Sequence, residues 1–104
     1  MTIQINTDKT ISGEKRSEDY FTSLIAEALQ RFDSHITRIE VHLKDENGKK
    51  DGINDISCLI EARLEGRQPI AITNQADSVD LAVTGAIDKI KTAVESIIGK
   101  MQKH

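Results

Sequence analysis

The stretch Phe21–Lys44, "FTSLIAEALQRFDSHITRIEVHLK", changes its periodicity in the middle, and that change decides the fold class. Over the first half, Phe21, Leu24, Ile25, Ala28, Leu29 and Phe32 recur three and four residues apart, the spacing of one helical stripe. Beyond Ile36 the period falls to two. Ile39, Val41 and Leu43 share one face, while Arg38, Glu40, His42 and Lys44 share the other, the pattern of a half-buried strand. An amphipathic helix therefore leads directly into a strand with one wet face. Both phenylalanines sit at the apolar centre of the helical stripe, which assigns them to the core.

Toward the N-terminus, "TIQIN" alternates with Ile3 and Ile5 on one side and predicts a short strand. Ser17 is a candidate cap for a helix beginning near Glu18, with Glu18 and Asp19 suited to its positive end. Toward the C-terminus, Asn47-Gly48 signals a hairpin turn. A third strand runs from about Ile53 to Glu65, with Ile56, Cys58, Ile60, Ala62 and Leu64 inward and Ser57, Leu59, Glu61 and Arg63 outward. After a turn at Gly66-Arg67-Gln68, "PIAITN" gives a fourth strand with Ile70 and Ile72 inward. Pro69, which lacks an amide donor, suits its start or a sheet edge. A second helix then closes the chain, with Asp77 the expected N-cap and Asp80 in its first turn. Its stripe is Val79, Val83, Ala86, Ile87, Ile90, Val94, Ile97, Ile98 and Met101. Gly85 and Gly99 each cost about 1 kcal/mol against alanine in that setting.

The order β-α-β-β-β-α is that of an α+β fold. A strand–helix–strand crossover predicts a parallel first pair with right-handed connection, and the short turns that follow predict antiparallel pairs. Each helix has one apolar stripe, so both should lie on the same face of a four-stranded mixed sheet. The 104 residues match one domain spanning 1–104.

Composition narrows the function. No apolar run approaches the roughly 18 residues needed to span a bilayer, and the N-terminus lacks a basic start followed by an apolar stretch, so a cytoplasmic protein without membrane association is expected. The single cysteine cannot form an internal disulfide. Three scattered histidines and one cysteine make no metal-ligand cluster, and no glycine-rich loop has a phosphate-binding signature. Cys58 alternates into the core beside Ile56 and Ile60, which favours a buried thiol over a nucleophile. Asp51 and Asp55 read as solvated loop carboxylates. A non-enzymatic protein without cofactor is expected. The net charge of −3 argues against generic polyanion binding, and Tyr20, Phe21 and Phe32 are the only aromatics, two of them assigned to the core, so rings for base stacking are scarce.

What remains is charge placement. At 100° per residue, Lys89, Lys100 and Lys103 fall on one flank of the closing helix, with Asp88 and Glu95 on the other and Lys91 near the apolar border. Lys49 and Lys50 sit at the hairpin tip. On the open sheet face, Arg38, His42, Lys44 and Arg63 are interleaved with Glu40, Glu61 and Glu65.

The segment "ADSVDLAVTGAIDKIKTAVESIIGKMQKH" resembles the end of the ribosome hibernation-promoting factor and ribosome-associated inhibitor family: an acidic residue (Asp77 or Asp80) opens the helix, Ala86-Ile87-Asp88 follows, and lysines recur from Lys89 onward. "ARLEGRQPIAIT" resembles the family's third and fourth strands. The resemblance implies a small domain that docks on the small ribosomal subunit, in the channel of messenger and transfer RNA, and meets ribosomal RNA phosphates through cations on its helices and sheet edge. By position, Lys89, Lys100 and Lys103 match the helix cations; Lys49, Lys50, Arg38 and Arg63 complete the candidate RNA-binding set. With this helix closing the sequence, the resemblance implies a short-form member, and no dimerising domain is expected. The alternative is a domain of the same fold that binds a protein partner on the open sheet face or an edge strand, which the acidic balance favours.

Overall fold

The structure is a computed structural model describing residues 1–7, 15–45 and 56–102, with the main chain alone for 15–17 and 100–102. Its elements are β1 (Thr2–Thr7), α1 (Lys15–Ala28), a 3-10 turn (Gln30–His35), β2 (Ile36–Asp45), β3 (Ile56–Leu64), β4 (Ile70–Ala76) and α2 (Val79–Gln102). The four strands form one sheet in the order β1-β2-β3-β4. β1 runs parallel to β2, with Ile3 beside Ile39 and Ile5 beside Val41, and the two remaining pairs are antiparallel. This is the α+β arrangement expected from the change of period.

The sheet divides as the alternation requires. Ile39, Val41, Leu43, Ile56, Cys58, Ile60, Ala62 and Leu64 are buried beneath the helices. Ile36 is buried too, although it lies three residues from Ile39 and a regular strand would turn the two to opposite faces. The ladder shifts register between Ile36 and Arg38, leaving Thr37 as an extra residue, a bulge that restores the face. The Thr37 hydroxyl donates to the Arg63 carbonyl oxygen across the bulge at 3.1 Å.

Phe21, Ile25, Leu29 and Phe32 bring α1 and the 3-10 turn into the core; Val83, Ala86, Ile87, Ile90, Val94 and Ile98 bring in α2. Among the described residues no polar or charged side chain is buried. The core thus rests on apolar burial, about 1.5–3 kcal/mol for a side chain the size of Ile90.

Several boundaries differ from the sequence expectation. α1 begins at Lys15, before Glu18. Its apolar stripe continues through Leu29 and Phe32 in a tightened 3-10 turn, a common way for a helix to end. β4 extends to Ala76, so Asn74–Ala76 belong to the strand. The N-cap of α2 is Ser78, whose hydroxyl accepts from the Leu81 amide at 3.2 Å, and not Asp77. Ser78 stands immediately before the first helical residue, where a side-chain oxygen reaches the third residue's amide. The Asn47-Gly48 turn, the Ser17 cap and the Met101 side chain lie outside the described residues.

Gly85 has a tertiary reason. A Cβ built there would lie 2.2 Å from Asn74 Nδ2. That amide donates to the carbonyl oxygens of Ala82 at 3.1 Å and Leu81 at 3.4 Å, tying β4 to the first turns of α2. Gly85→Ala should therefore lose about 1–2 kcal/mol despite alanine's better helix propensity, because Asn74 must abandon both bonds. In an Asn74→Ala background the same change should stabilise by up to about 1 kcal/mol, the propensity difference alone. Denaturant unfolding of the four chains reads the coupling; equal effects of Gly85→Ala in both backgrounds would remove this account.

Candidate nucleic-acid interface

The candidate cations fall into two layers. Arg38 and Arg63 stand on the open sheet face as direct neighbours on β2 and β3, and Glu40 and Glu61 are neighbours in the next outward row. Like charges placed directly opposite destabilise a sheet, and here each is matched along its own strand. Arg38 Nε donates to Glu40 Oε1 at 3.1 Å, and Arg63 Nε to Glu61 Oε1 at 3.2 Å. The Arg38 guanidinium also donates to Gln4 Oε1 on β1. Gln4 Nε2 donates to Asn6 Oδ1 at 3.0 Å, and Asn6 Nδ2 to the Val41 carbonyl oxygen at 3.5 Å. The open face is a hydrogen-bonded polar surface whose two arginines already hold carboxylates.

Lys89 is placed differently. It is exposed on the flank of α2 beside β4, and its Nζ donates to the Thr73 main-chain oxygen at 3.1 Å. An ammonium has three donors. One is taken by a neutral carbonyl, and among the described residues no carboxylate pairs with Lys89. Lys100 lies farther along α2 with its side chain outside the described residues; Lys49, Lys50 and Lys103 lie outside them altogether.

A basic pair absent from the sequence-derived set borders the open groove between the helices. Arg31 and Lys91 line one part of it with Glu27 and Ala28, and Lys91, Glu27 and Ala28 also line the part beside Leu24, Ile87 and Asp88. Arg31 Nη1 lies 3.5 Å from Glu95, and its guanidinium carbon 4.9 Å from the Phe32 ring centre. The only sequence signal for this pair was the offset of Lys91 toward the apolar border; Arg31 enters through the 3-10 turn.

The aromatic assignment holds: Phe21 and Phe32 are buried, and Tyr20 is exposed, its ring tilted against Phe21 at 5.6 Å between centres. Among the described residues, no group of three His, Cys, Asp or Glu side chains could hold a metal ion, and no helix is long and apolar enough to cross a membrane.

A four-stranded mixed sheet covered on one side by two helices, with a long closing helix that carries lysine on its flank, defines an α+β domain of the hibernation-factor type. The family model for sigma-54 modulation protein / S30EA ribosomal protein matches residues 3–102, and the chain belongs to that ribosome-associated family. Among solved structures, it is similar to the Protein Y N-terminal domain of Thermus thermophilus, with a TM-score of 0.73 and 17% identity over 93% of this chain and 99% of that one. It is also similar to a ribosomal subunit interface protein from Coxiella burnetii, with a TM-score of 0.65 and 17% identity over 95% and 99% of the two chains. No curated protein sequence matches it.

Cys58 belongs to the core as the alternation requires, fully buried, and burial pushes its thiol up from an ordinary 9.0 to about 12. Below about pH 9 the thiol is neutral folded and unfolded, and contributes no pH dependence. Above that, the unfolded chain releases the proton first and binds fewer protons than the folded one, so stability falls as pH rises toward about 12. A Cys58→Ala chain should lack this part of the alkaline slope in denaturant titrations. At neutral pH a thiol reagent should label native protein about a hundredfold or more slower than unfolded protein; comparable rates would place Cys58 at the surface.

Proposed function

We propose that this chain is a non-catalytic translation inhibitor, or hibernation factor, that binds the small ribosomal subunit in the cytoplasm. The observation that carries the proposal is the family match over residues 3–102. The contact proposed is between ribosomal RNA phosphates and the α2 flank of Lys89, Lys100 and Lys103, extended by Lys49 and Lys50. Lys89 supports the choice of surface, because its bond to a neutral carbonyl leaves two donors for phosphate oxygens. Arg38 and Arg63 have a smaller part in this proposal: each must exchange a carboxylate for a phosphate.

The test is co-sedimentation with small ribosomal subunits at several salt concentrations, comparing the wild-type chain with one in which Lys89, Lys100 and Lys103 are all glutamine. Protein concentrations are kept where both chains are monomeric. Lys89 is exposed, and loss of an exposed charge and its bond costs little, so unfolding should shift by less than about 1 kcal/mol. Affinity should fall, and the salt slope should become shallower by up to about 0.9 per lost phosphate contact. Equal affinity and slope would remove the flank from the interface. A wild-type chain that does not sediment with ribosomes would favour the second reading, a protein partner on the open sheet face. That reading is supported by the mutual pairing of Arg38 with Glu40 and Arg63 with Glu61.

A further inference from the structure

β4 is the outer strand on the α2 side of the sheet, and its seven residues, "IAITNQA", contain no charge. An outer strand of this composition is a template for another chain, and proteins blunt such edges with lysine, proline or a covering element. Here Pro69 stands just before the strand, and α2 packs against it. The Lys89 ammonium holds the main-chain oxygen of Thr73, the central residue of the seven, at 3.1 Å. In an antiparallel ladder the main-chain groups of successive residues point alternately toward and away from the neighbour. An oxygen within reach of an exposed lysine is the one an added strand would use.

We propose that Lys89 guards this edge, and that the pairing it prevents is between β4 of one copy of the chain and β4 of a second. The sequence of β4 suits a two-fold axis through Thr73. Antiparallel pairing about that point sets Ile70 opposite Ala76 and Ile72 opposite Asn74 on the helix side, where these four are half-buried, and Ala71 opposite Gln75 on the open side. No like charges meet, and the apolar side chains continue from one sheet to the next. The contact is isologous and closes as a dimer. At its centre, each Thr73 oxygen would accept from the opposing Thr73 amide, the place Lys89 now occupies. This inference concerns the free protein and does not depend on the ribosomal contact.

Lys89→Met keeps the aliphatic stem and most of the helix propensity but removes the donor, whereas Lys89→Arg keeps a donor. In sedimentation velocity over a concentration series, without nucleic acid, Lys89→Met should self-associate about tenfold more strongly than wild type, moving from the 11.6 kDa of one chain toward twice that mass. Amide exchange in Ile70–Ala76 should slow as its concentration rises. Lys89→Arg should behave as wild type. Adding Thr73→Lys to Lys89→Met sets two lysines opposite each other at the dyad and should abolish the association. The proposal is overturned if Lys89→Met sediments as wild type at every concentration, if it associates without protecting the β4 amides, or if Thr73→Lys leaves the association intact.

Discussion

Every strand of this sheet must keep its apolar side chains beneath the helices, and the strict two-residue alternation of extended chain makes that requirement unforgiving. β2 and β3 both pair on two sides, and β2 meets the requirement with an irregularity. Ile36 and Ile39 can both face the core only because Thr37 is extruded between them. The bulge follows directly on the 3-10 turn, which ends at His35. Without it, Ile36 or the whole set of Ile39, Val41 and Leu43 would face water.

The same alternation sorts the charges. Arg38, Glu40, Glu61 and Arg63 all fall on the open face, and the register places like signs side by side across β2 and β3. Pairing along each strand resolves the conflict, and Gln4 and Asn6 on β1 extend the network to the neighbouring strand. A face organised in this way presents hydrogen-bonded pairs to an incoming polyanion. On the α2 flank, Lys89 instead meets the neutral Thr73 oxygen, its one hydrogen-bond partner among the described residues. Over a Debye length of about 10 Å, attraction to a phosphate depends on the placement of charges more than on their sum.

α2 is where packing and interaction meet. One side carries the stripe from Val83 to Ile98 into the core. A second is held against β4 by Asn74, which occupies the space a side chain at Gly85 would need. Lys89, one helical turn beyond Gly85, reaches the same strand at Thr73. Strand and helix are therefore joined by side-chain bonds to main-chain oxygens in addition to apolar contact. These bonds fix the first turns of α2 and Lys89 relative to the sheet edge.

The fold class, the order of elements and the buried faces were legible in the sequence, because hydrophobic periods of 3.6 and 2 are local consequences of helix and strand geometry. That is why Phe21, Phe32, Cys58 and Ile90 could be assigned to the core from spacing alone. The family could be recognised in the closing helix for a related reason: its Ala86-Ile87-Asp88 run and its lysine spacing survive as a contiguous pattern. Finer features depend on partners distant in the chain. Ser78 rather than Asp77 caps α2 because β4 continues to Ala76 and sets where the helix begins. The purpose of Gly85 is invisible without Asn74, and Thr37 looks like an ordinary strand residue until its neighbours on β3 are known. The basic character of Arg38, Arg63 and Lys89 was plain in the sequence, but periodicity assigns a residue only to a face. Which face meets a carboxylate, and which a neutral carbonyl, is decided when separate strands and helices are brought side by side in the tertiary structure.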